Sequence, residues 1–270
     1  MPELPEVETS RRGIAPWIEN QEVSEVIIRE RRLRWPIPVE IDRILPGRKI
    51  LSIRRRAKYL LFETGVGSAM LHLGMSGSVR IIDIDEPAAK HDHFDIRFGN
   101  GKALRFRDPR RFGSLLWAVN PHDHDLLRNL GPEPLSSEFG GDYLWQKSRG
   151  RRVNVKQFIM NGSVVVGVGN IYASETLFMA RIHPKRAAGR ISHERMSRLS
   201  DSIKSVLELA IDAGGTTLRD FQGSDGEPGY FRQQLDAYGR DGLPCVVCKM
   251  PIVSIVLGQR STFYCKQCQR

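Results

Sequence analysis

The stretch FDIRFGNGKALRF, residues 94–106, contains the clearest structural pattern in this 270-residue chain. Apolar residues alternate on both sides of a central Gly-Asn-Gly, which is typical of two antiparallel strands joined by a tight turn. Similar β-branched and aromatic runs occupy 23–28, 50–62, 68–82 and 115–119. A helix is predicted ahead of them over 5–18, where Pro5 suits a first turn. We therefore predict that residues 1–130 form a β-sandwich with one leading helix.

Helical periodicity replaces this alternation in the second half of the chain. Apolar residues recur every three or four positions over 192–213, with Ser192 as a candidate N-cap and two glycines at the end. Shorter helices are predicted over 153–160 and 171–180. We expect 131–230 to form a helical domain with a glycine-dotted loop, and 231–270 to form a separate module. The predicted fold class is therefore α+β.

The chain is basic, with 41 Lys and Arg against 31 Asp and Glu, a net charge of +10 and a pI near 9.7. Eleven basic and only three acidic residues lie between Arg29 and Lys58, and a second tract from Lys147 to Lys156 contains no acid. Two basic tracts suit the walls of a groove that binds nucleic acid, although a basic enzyme without such a partner is the alternative. Without a secretory signal or an apolar run of ~20 residues, we expect a cytoplasmic protein that does not enter a membrane.

All four cysteines lie in two Cys-x-x-Cys pairs near the end of the chain, Cys245 with Cys248 and Cys265 with Cys268. Sixteen residues separate the pairs, which predicts a four-cysteine zinc ribbon with one structural Zn²⁺. Two disulfides are the alternative, and an intracellular setting disfavours them. A hairpin is predicted between the pairs, over 251–257 and 261–265. Arg260 is expected at its tip, either in contact with a phosphate or simply solvated.

The first residues carry a candidate nucleophile. Removal of Met1 is expected because Pro2 is small, and the Pro2 nitrogen then becomes a secondary amine. An α-amino group has a pKa near ~8, so roughly a tenth of it is unprotonated at pH 7 and can attack an aldehyde-like carbon. Glu3 and Glu6 place carboxylates nearby for proton transfer. The alternative is an ordinary proline-containing helix start.

Seven segments from one end of the chain to the other carry a family resemblance. They are MPELPEVETSRRG (1–13), RRRAKYLLF (54–62), HLGMSGS (72–78), KHDHFD (90–95), DPRRFG (108–113), VVVGVGNIYASE (164–175) and QRSTFYCKQC (259–268). In this order they resemble the bacterial formamidopyrimidine-DNA glycosylases, also called 8-oxoguanine DNA glycosylase/AP lyases. The resemblance implies excision of oxidised purines (8-oxoguanine, formamidopyrimidines) from duplex DNA through a Schiff base, followed by β,δ-elimination at the abasic site.

The resemblance also implies a role for each residue that matches a family motif. Pro2 resembles the nucleophile that attacks C1′, and Glu3 the acid/base group that assists sugar-ring opening. Lys58 resembles the general acid of β-elimination, and Arg260 the residue tied to δ-elimination. Positions that match the family's DNA contacts are His91, Arg110, Arg151, Lys156 and Asn170, and those that match its wedge into the duplex are Met75, Phe112 and Arg110.

Asn170 is further expected to cap a helix of the family's helix–two-turn–helix element. The loop over 216–230 resembles the lid that recognises an everted lesion, with Arg219 where close relatives carry Lys. Three regions are therefore expected: a catalytic β-sandwich (1–130), a helical DNA-binding domain (131–230) and a zinc ribbon (231–270).

Two other functions remain as alternatives. An endonuclease VIII-type glycosylase for oxidised pyrimidines shares the Pro-Glu start and the ribbon, whereas a non-catalytic zinc-ribbon protein would bind DNA without a covalent adduct. The family reading predicts duplex DNA with oxidised purines or abasic sites as the partner. It also predicts a monomer in the cytoplasm, associated with the nucleoid.

Overall fold

The computed structural model describes residues 2–214 and 235–270, which form two compact units. The first unit contains residues 2–128. Its elements are α1 (Leu4–Ile18), β1 (Val23–Ile28), α2 (Ile41–Ile44), β2 (Ser52–Arg56), β3 (Tyr59–Thr64), β4 (Gly67–His72), β5 (Ser78–Asp83), β6 (Asp92–Phe98), β7 (Lys102–Arg107), β8 (Ser114–Ala118) and a 3₁₀ turn (Pro121–Asp123).

Two antiparallel four-stranded sheets build this unit, in the orders β1-β6-β7-β5 and β2-β3-β4-β8. Both sheets contribute to one apolar core, in which Phe62 of the second sheet and Phe94 of the first are buried together with Ile14 of α1. The predicted β-sandwich with a leading helix is therefore confirmed. The hairpin over 94–106 is also present, because β6 pairs with β7 across the Gly-Asn-Gly turn.

Two stretches that looked continuous in sequence are each divided into two strands. The run 50–62 contains β2 and β3, because the backbone of Ala57 has a φ of +54° and reverses the chain before Lys58. The run 68–82 contains β4 and β5, separated by a loop over 73–77 in which Gly74 has a φ of +69°. Both breaks create loops that carry candidate site residues.

The second unit contains residues 129–213 and 235–270. Its elements are α3 (Gly141–Ser148), α4 (Val155–Ile159), α5 (Asn170–Met179), a 3₁₀ turn (Ala188–Arg190), α6 (His193–Asp212), β9 (Ile252–Leu257) and β10 (Arg260–Cys265). The apolar stripe of α6 is buried as predicted, and the Ser192 hydroxyl accepts a hydrogen bond from the main-chain N–H of Arg195 at 3.4 Å. Within the described ranges, no helix combines the length and the apolar character that a membrane span requires.

One helix of this unit was not predicted from the sequence. Helix α3 begins directly after Gly140, in a Gly-Gly pair that favours a loop on propensity alone. Leu144 of α3 is fully buried, and α3 packs against α6. Tertiary packing therefore overrides the weak local signal.

Candidate active site and metal centre

The candidate nucleophile precedes α1 directly. Pro2 and Glu3 are both buried. Glu3 is the N-cap of α1, and its main-chain N–H donates a hydrogen bond to Glu6 Oε2 at 2.8 Å in a capping box. Glu6 is thereby engaged in fixing the helix start, and its part in proton transfer beside Glu3 stays a prediction. The capping box holds Pro2 at the positive end of the helix dipole.

The turn that carries Lys58 is braced by a partly buried ion-pair network that starts on α1. Glu8 accepts hydrogen bonds from Arg11 at 2.8 Å and from Arg55 at 3.2 Å. Burial raises the pKa of Glu8, but the hydrogen bond and charge of Arg11 and the charge of Arg55 outweigh it, so that the pKa lies below its ordinary value. Arg55 also donates to the main-chain oxygen of Ala57 at 3.0 Å, immediately before Lys58. The β2–β3 turn is therefore braced from α1.

His72 is the first residue of the HLGMSGS motif, and it lies close enough to Lys58 to feel its charge. Its ring faces Tyr59 across strands β3 and β4, with the ring centroids 4.7 Å apart. Burial lowers the pKa of His72 to about 4, and the charges of Lys58 and Arg34 add to this effect. The neutral ring accepts a hydrogen bond at Nδ1 from the main-chain N–H of Gly74 at 3.0 Å. His72 thus connects the Lys58 turn to the loop over 73–77.

The loops 73–77 and 108–113 are joined by a fully buried carboxylate, that of Asp108. Its Oδ1 accepts hydrogen bonds from the Ser76 hydroxyl at 2.6 Å and the Arg110 main-chain N–H at 3.2 Å. Its Oδ2 accepts one from the Gly113 main-chain N–H at 2.8 Å. A carboxylate that satisfies several donors in this way fixes the backbone of both loops.

The three wedge candidates lie on these two loops. Met75 and Phe112 are exposed by 38% and 42%, which is unusual for large apolar side chains. The Arg110 guanidinium lies 5.0 Å from the centre of the Phe112 ring, in a cation–π arrangement. At Gly74 a Cβ atom would come within 2.4 Å of the Phe112 carbonyl carbon, so only glycine allows the loops this close approach. The structure therefore brings Met75, Arg110 and Phe112 into one exposed cluster.

His91 is attached to the same cluster through its backbone. Its φ is +76°, a conformation that is uncommon for residues other than glycine. The His91 main-chain oxygen accepts a hydrogen bond from the Asp108 N–H at 3.1 Å, and the neighbouring His93 ring contacts the Asp108 main-chain oxygen at 2.7 Å. The side chain of His91 is half-buried, whereas His93 is buried.

The three arginines of the basic tract from Lys147 to Lys156 are all exposed, but they differ in what their side chains contact. Arg149 donates hydrogen bonds to Ser148 Oγ and to the Ile191 main-chain oxygen, so its side chain is used within the unit. Arg151 and its neighbour Arg152 are exposed. Arg151 is therefore available for the phosphate contact that the family motif implies.

Lys156 does not lie on the surface, contrary to the expectation that it contacts DNA. It is 1% exposed, and its Nζ donates hydrogen bonds to Asn170 Oδ1 at 2.7 Å, Thr262 Oγ1 at 2.8 Å and the Ser261 main-chain oxygen at 3.1 Å. This geometry replaces a direct phosphate contact with an internal one. Lys156 connects α4, α5 and β10.

Asn170 was expected to cap α5, and this prediction is wrong. Gly169 is the N-cap, and Asn170 is the first residue of the helix. Its side chain receives the hydrogen bond from Lys156 and donates one to the Ser261 main-chain oxygen at 3.1 Å. Asn170 is thus fixed against the strand that begins with Arg260.

Arg260 lies one position beyond the tip of its hairpin. The two turn residues are Gly258 and Gln259, both with positive φ, and Arg260 opens β10 opposite Leu257. A Cβ atom on Gly258 would come within 2.3 Å of the Gln157 amide nitrogen, so the turn packs closely against α4. Arg260 itself is exposed, next to the Ser261 carbonyl that Lys156 and Asn170 hold.

The four cysteines form the site of one structural zinc ion. Their sulfur atoms all lie within 4.8 Å of one another, and the Cys245–Cys268 and Cys248–Cys265 pairs are 3.9 and 3.4 Å apart. Tetrahedral coordination with Zn–S bonds of ~2.3 Å requires sulfur–sulfur separations of ~3.8 Å, whereas a disulfide requires ~2.05 Å. The cysteines are free, so the alternative of two disulfides does not apply.

Buried polar contacts attach the ribbon to the helices of its unit. Gln269, 2% exposed, accepts a hydrogen bond from the Cys265 N–H and donates one to the Ile182 main-chain oxygen. Glu175 of α5 accepts main-chain N–H groups of 236–238 at 2.7–3.0 Å, and burial raises its pKa. The predicted lid over 216–230, with Arg219, lies outside the described residues.

Comparisons with known proteins agree with this geometry over the whole chain. Three family models match: the formamidopyrimidine-DNA glycosylase N-terminal domain (residues 1–115), its H2TH domain (130–222) and the zinc finger found in FPG and IleRS (242–270). A formamidopyrimidine-DNA glycosylase of Pseudomonas fluorescens is 58% identical over 270 residues, covering both chains completely.

Two solved structures are similar over their full length. One is a complex between the Lactococcus lactis Fpg and DNA containing an abasic site, with a TM-score of 0.91, 32% identity and complete coverage of both chains. The other is MutM in complex with DNA containing carbocyclic 8-oxo-G, with a TM-score of 0.90, 33% identity and complete coverage. The resemblance inferred from the motifs is confirmed: the chain belongs to the formamidopyrimidine-DNA glycosylase family.

Proposed function

We propose that this protein is a bifunctional DNA glycosylase and AP lyase that removes oxidised purines from duplex DNA in base-excision repair. The observation that carries the proposal is the match over the full length of the chain to relatives of this activity, two of them bound to abasic-site or 8-oxo-G DNA. The exposed cluster of Met75, Arg110 and Phe112 supports it, because a base must leave the stack before its C1′ can be attacked. Such an enzyme works in the cytoplasm, at the nucleoid.

Pro2 and Glu3 carry out the first step, in which the base is excised and the sugar ring is opened. Once Met1 is removed, the Pro2 nitrogen attacks C1′, the bond between C1′ and the base breaks, and the base leaves with the proton that the Pro2 nitrogen gives up. Glu3 delivers the proton that opens the sugar ring, which yields a cationic iminium at C1′. Burial and the positive end of α1 both favour the neutral, nucleophilic amine.

The second stage cleaves the strand on both sides of the sugar. The iminium acidifies the C2′ hydrogen, and its removal as a proton expels the 3′ phosphate; a further elimination expels the 5′ phosphate. Lys58 serves as the general acid associated with the first elimination. Arg260 contacts the phosphate beside the lesion and serves the second.

The other motif residues hold the DNA. His91, Arg110 and Arg151 contact the phosphate backbone, and Met75 and Phe112 fill the space that the everted base leaves. Asn170 contacts the phosphate backbone from the start of α5, while Lys156 acts as a positioning residue for Asn170 and for the strand of Arg260. The zinc ion maintains the ribbon that carries Arg260.

Borohydride trapping on a duplex that contains 8-oxoguanine tests the proposal. Wild-type protein is expected to form a covalent adduct on its N-terminal peptide, as read by intact and peptide mass. The Pro2→Gly variant is expected to lose most of this adduct and to keep its affinity for abasic-site duplex. Pro5→Gly is the matched control, because it disturbs the same helix start without altering the amine.

Three results would overturn the assignment. They are an adduct on another residue, equal trapping of wild type and Pro2→Gly, and DNA binding with no adduct at all. A duplex with an oxidised thymine serves as the competing substrate, and preference for it would favour endonuclease VIII-type chemistry.

A further inference from the structure

The second unit contains a cavity of about 440 Å³ that none of the roles above uses. Four arginines line it: Arg181 just after α5, Arg195 and Arg198 on α6, and Arg270 beyond the last cysteine. The zinc ribbon supplies the remaining wall with Val247, Gln267 and Cys268. The cavity is therefore formed where the ribbon packs against the end of α5 and the start of α6.

The positive charge of this cavity is not neutralised within residues 2–214 and 235–270. None of the four arginines forms an ion pair with an aspartate or glutamate of those ranges. The zinc site beside the cavity, which includes Cys268, carries two negative charges in total when four thiolates hold one Zn²⁺ ion, and the four arginines exceed that charge. Arg195 and Arg198 lie three positions apart on one helix, a spacing at which like charges repel.

One of the four guanidinium groups, that of Arg195, is held in position by main-chain atoms of the cavity wall. The Arg195 guanidinium donates hydrogen bonds to the main-chain oxygens of Arg181 and Arg270, and the Arg270 N–H donates to the same Arg181 oxygen at 3.3 Å. Arg181 has a φ of +57°, an uncommon conformation that this network maintains. Burial lowers the pKa of Arg195, and the charges of Arg186 and Arg198 lower it further, as expected where cations converge without a counter-ion.

The cavity is separate from the candidate DNA contacts of the same unit. Asn170 is the first residue of α5, and Arg181 lies two positions beyond the last, Met179. Ten helical residues span ~15 Å, so α5 separates Asn170, which contacts the Arg260 strand, from the cavity. A ligand in the cavity therefore does not share the contacts of Asn170 or Lys156.

We propose that this cavity is a second anion site and that it binds a phosphate group. Planar guanidinium groups pair with phosphate oxygens in a bidentate manner, and several converging guanidinium groups favour a compact, multiply charged anion. The volume suits a ligand of mononucleotide size. The phosphate belongs either to a free phosphorylated molecule or to a DNA segment outside the lesion site, and the two sources share this chemistry.

Calorimetric titration of the zinc-loaded, full-length protein with tripolyphosphate tests the site. The variant carries Arg181→Gln and Arg198→Gln, because these two side chains are exposed and their substitution leaves the Arg195 hydrogen bonds in place. The matched control carries Arg190→Gln and Lys204→Gln, which remove the same charge from the same unit outside the cavity. We expect binding to weaken about 10-fold or more in the variant and less than about 2-fold in the control.

Equal weakening in variant and control would overturn the proposal, since it would reflect overall charge alone. Absence of tripolyphosphate binding to wild type, or binding of a poly-glutamate peptide in its place, would overturn it as well. The source of the phosphate group is identified by measuring the affinity of wild type and variant for abasic-site duplexes of about 13 and about 40 base pairs. Selective weakening for the long duplex identifies DNA as the source, and unchanged affinity for both identifies a free phosphorylated ligand. Excision activity is not a readout here, so the result is independent of the proposed function.

Discussion

Asp108 in the first unit and Lys156 in the second are both buried charged residues with three polar contacts around the charged group. Asp108 accepts hydrogen bonds, two of them from main-chain N–H groups, and fixes the shape of two loops. Lys156 donates hydrogen bonds to oxygens on α5 and β10, and thereby holds separate elements together. The first unit thus depends on acceptors to shape its loops, whereas the second depends on a cation to join its elements.

The largest expected effect follows from removing that cation. Lys156→Met keeps the aliphatic chain but leaves Asn170 Oδ1, Thr262 Oγ1 and the Ser261 carbonyl without their shared donor. We expect the second unit to lose about 4 kcal/mol of stability, because several buried acceptors lose a charged partner at once. Urea unfolding of the zinc-loaded protein measures this loss.

A direct phosphate contact predicts a different result for the same variant. In that case Lys156→Met would reduce the slope of log DNA affinity against log salt concentration by about one, and its unfolding would match that of wild type. Lys185→Met, on an exposed lysine of the same unit, is the control. Unchanged stability together with the lower slope would show that Lys156 reaches the DNA and that its buried position does not persist in solution.

The first unit also contains an acceptor, His72, whose protonation makes the stability depend on pH. His72 is neutral in the folded protein with a pKa of about 4, against an ordinary value of 6.5. Between these values the unfolded chain binds more protons than the folded one, so stability falls as the pH falls from about 6.5 to about 4. The difference of roughly 2.5 pKa units corresponds to at most about 3.4 kcal/mol. Comparison of wild type with His72→Gln by denaturant unfolding at several pH values isolates this contribution.

The cause of the shift can be tested separately. Lys58→Met removes one of the positive charges that lower the pKa of His72, so the pKa should rise, as measured by NMR titration of the ring. His122→Gln, at an exposed histidine, is the control for the unfolding series. The interpretation fails if His72→Gln loses stability in acid as steeply as wild type, or if the pKa of His72 falls in Lys58→Met.

The sequence predicted the elements whose signals are local and missed the contacts that join distant positions. Helix α1, the β6–β7 hairpin and the apolar face of α6 follow from periodicity and turn residues within one segment. Lys156 was expected to contact DNA because it belongs to the second basic tract and because of the family resemblance, and its actual partners lie as many as 106 positions away. The role of Asp108, a residue of the DPRRFG motif, could not be predicted, because its partner Ser76 lies 32 positions away in the sequence.

The cysteine spacing predicted the zinc site because metal ligation restricts which spacings are possible. No comparable rule indicates that His72 stays neutral, since its burial depends on the packing of β3 against β4. The one-residue error at Asn170 has a local cause: an asparagine after glycine is a good N-cap by propensity, but Gly169 takes that position.

Asp108→Asn gives the smallest of these effects and tests the comparison most directly. The amide keeps one acceptor oxygen and replaces the other with a donor, which faces either the Ser76 and Arg110 donors or the Gly113 N–H. A single charge-assisted contact is worth roughly 1.5–3 kcal/mol, so we expect a loss of about 2 kcal/mol. Because Asp108 shapes the loops that carry Met75 and Phe112, affinity for abasic-site duplex should fall by more than the exposed control Asp125→Asn shows. If the variant lost stability while its DNA affinity stayed at the control value, the buried carboxylate would serve only the sandwich, and the loops would owe their shape to Gly74 and His72 alone.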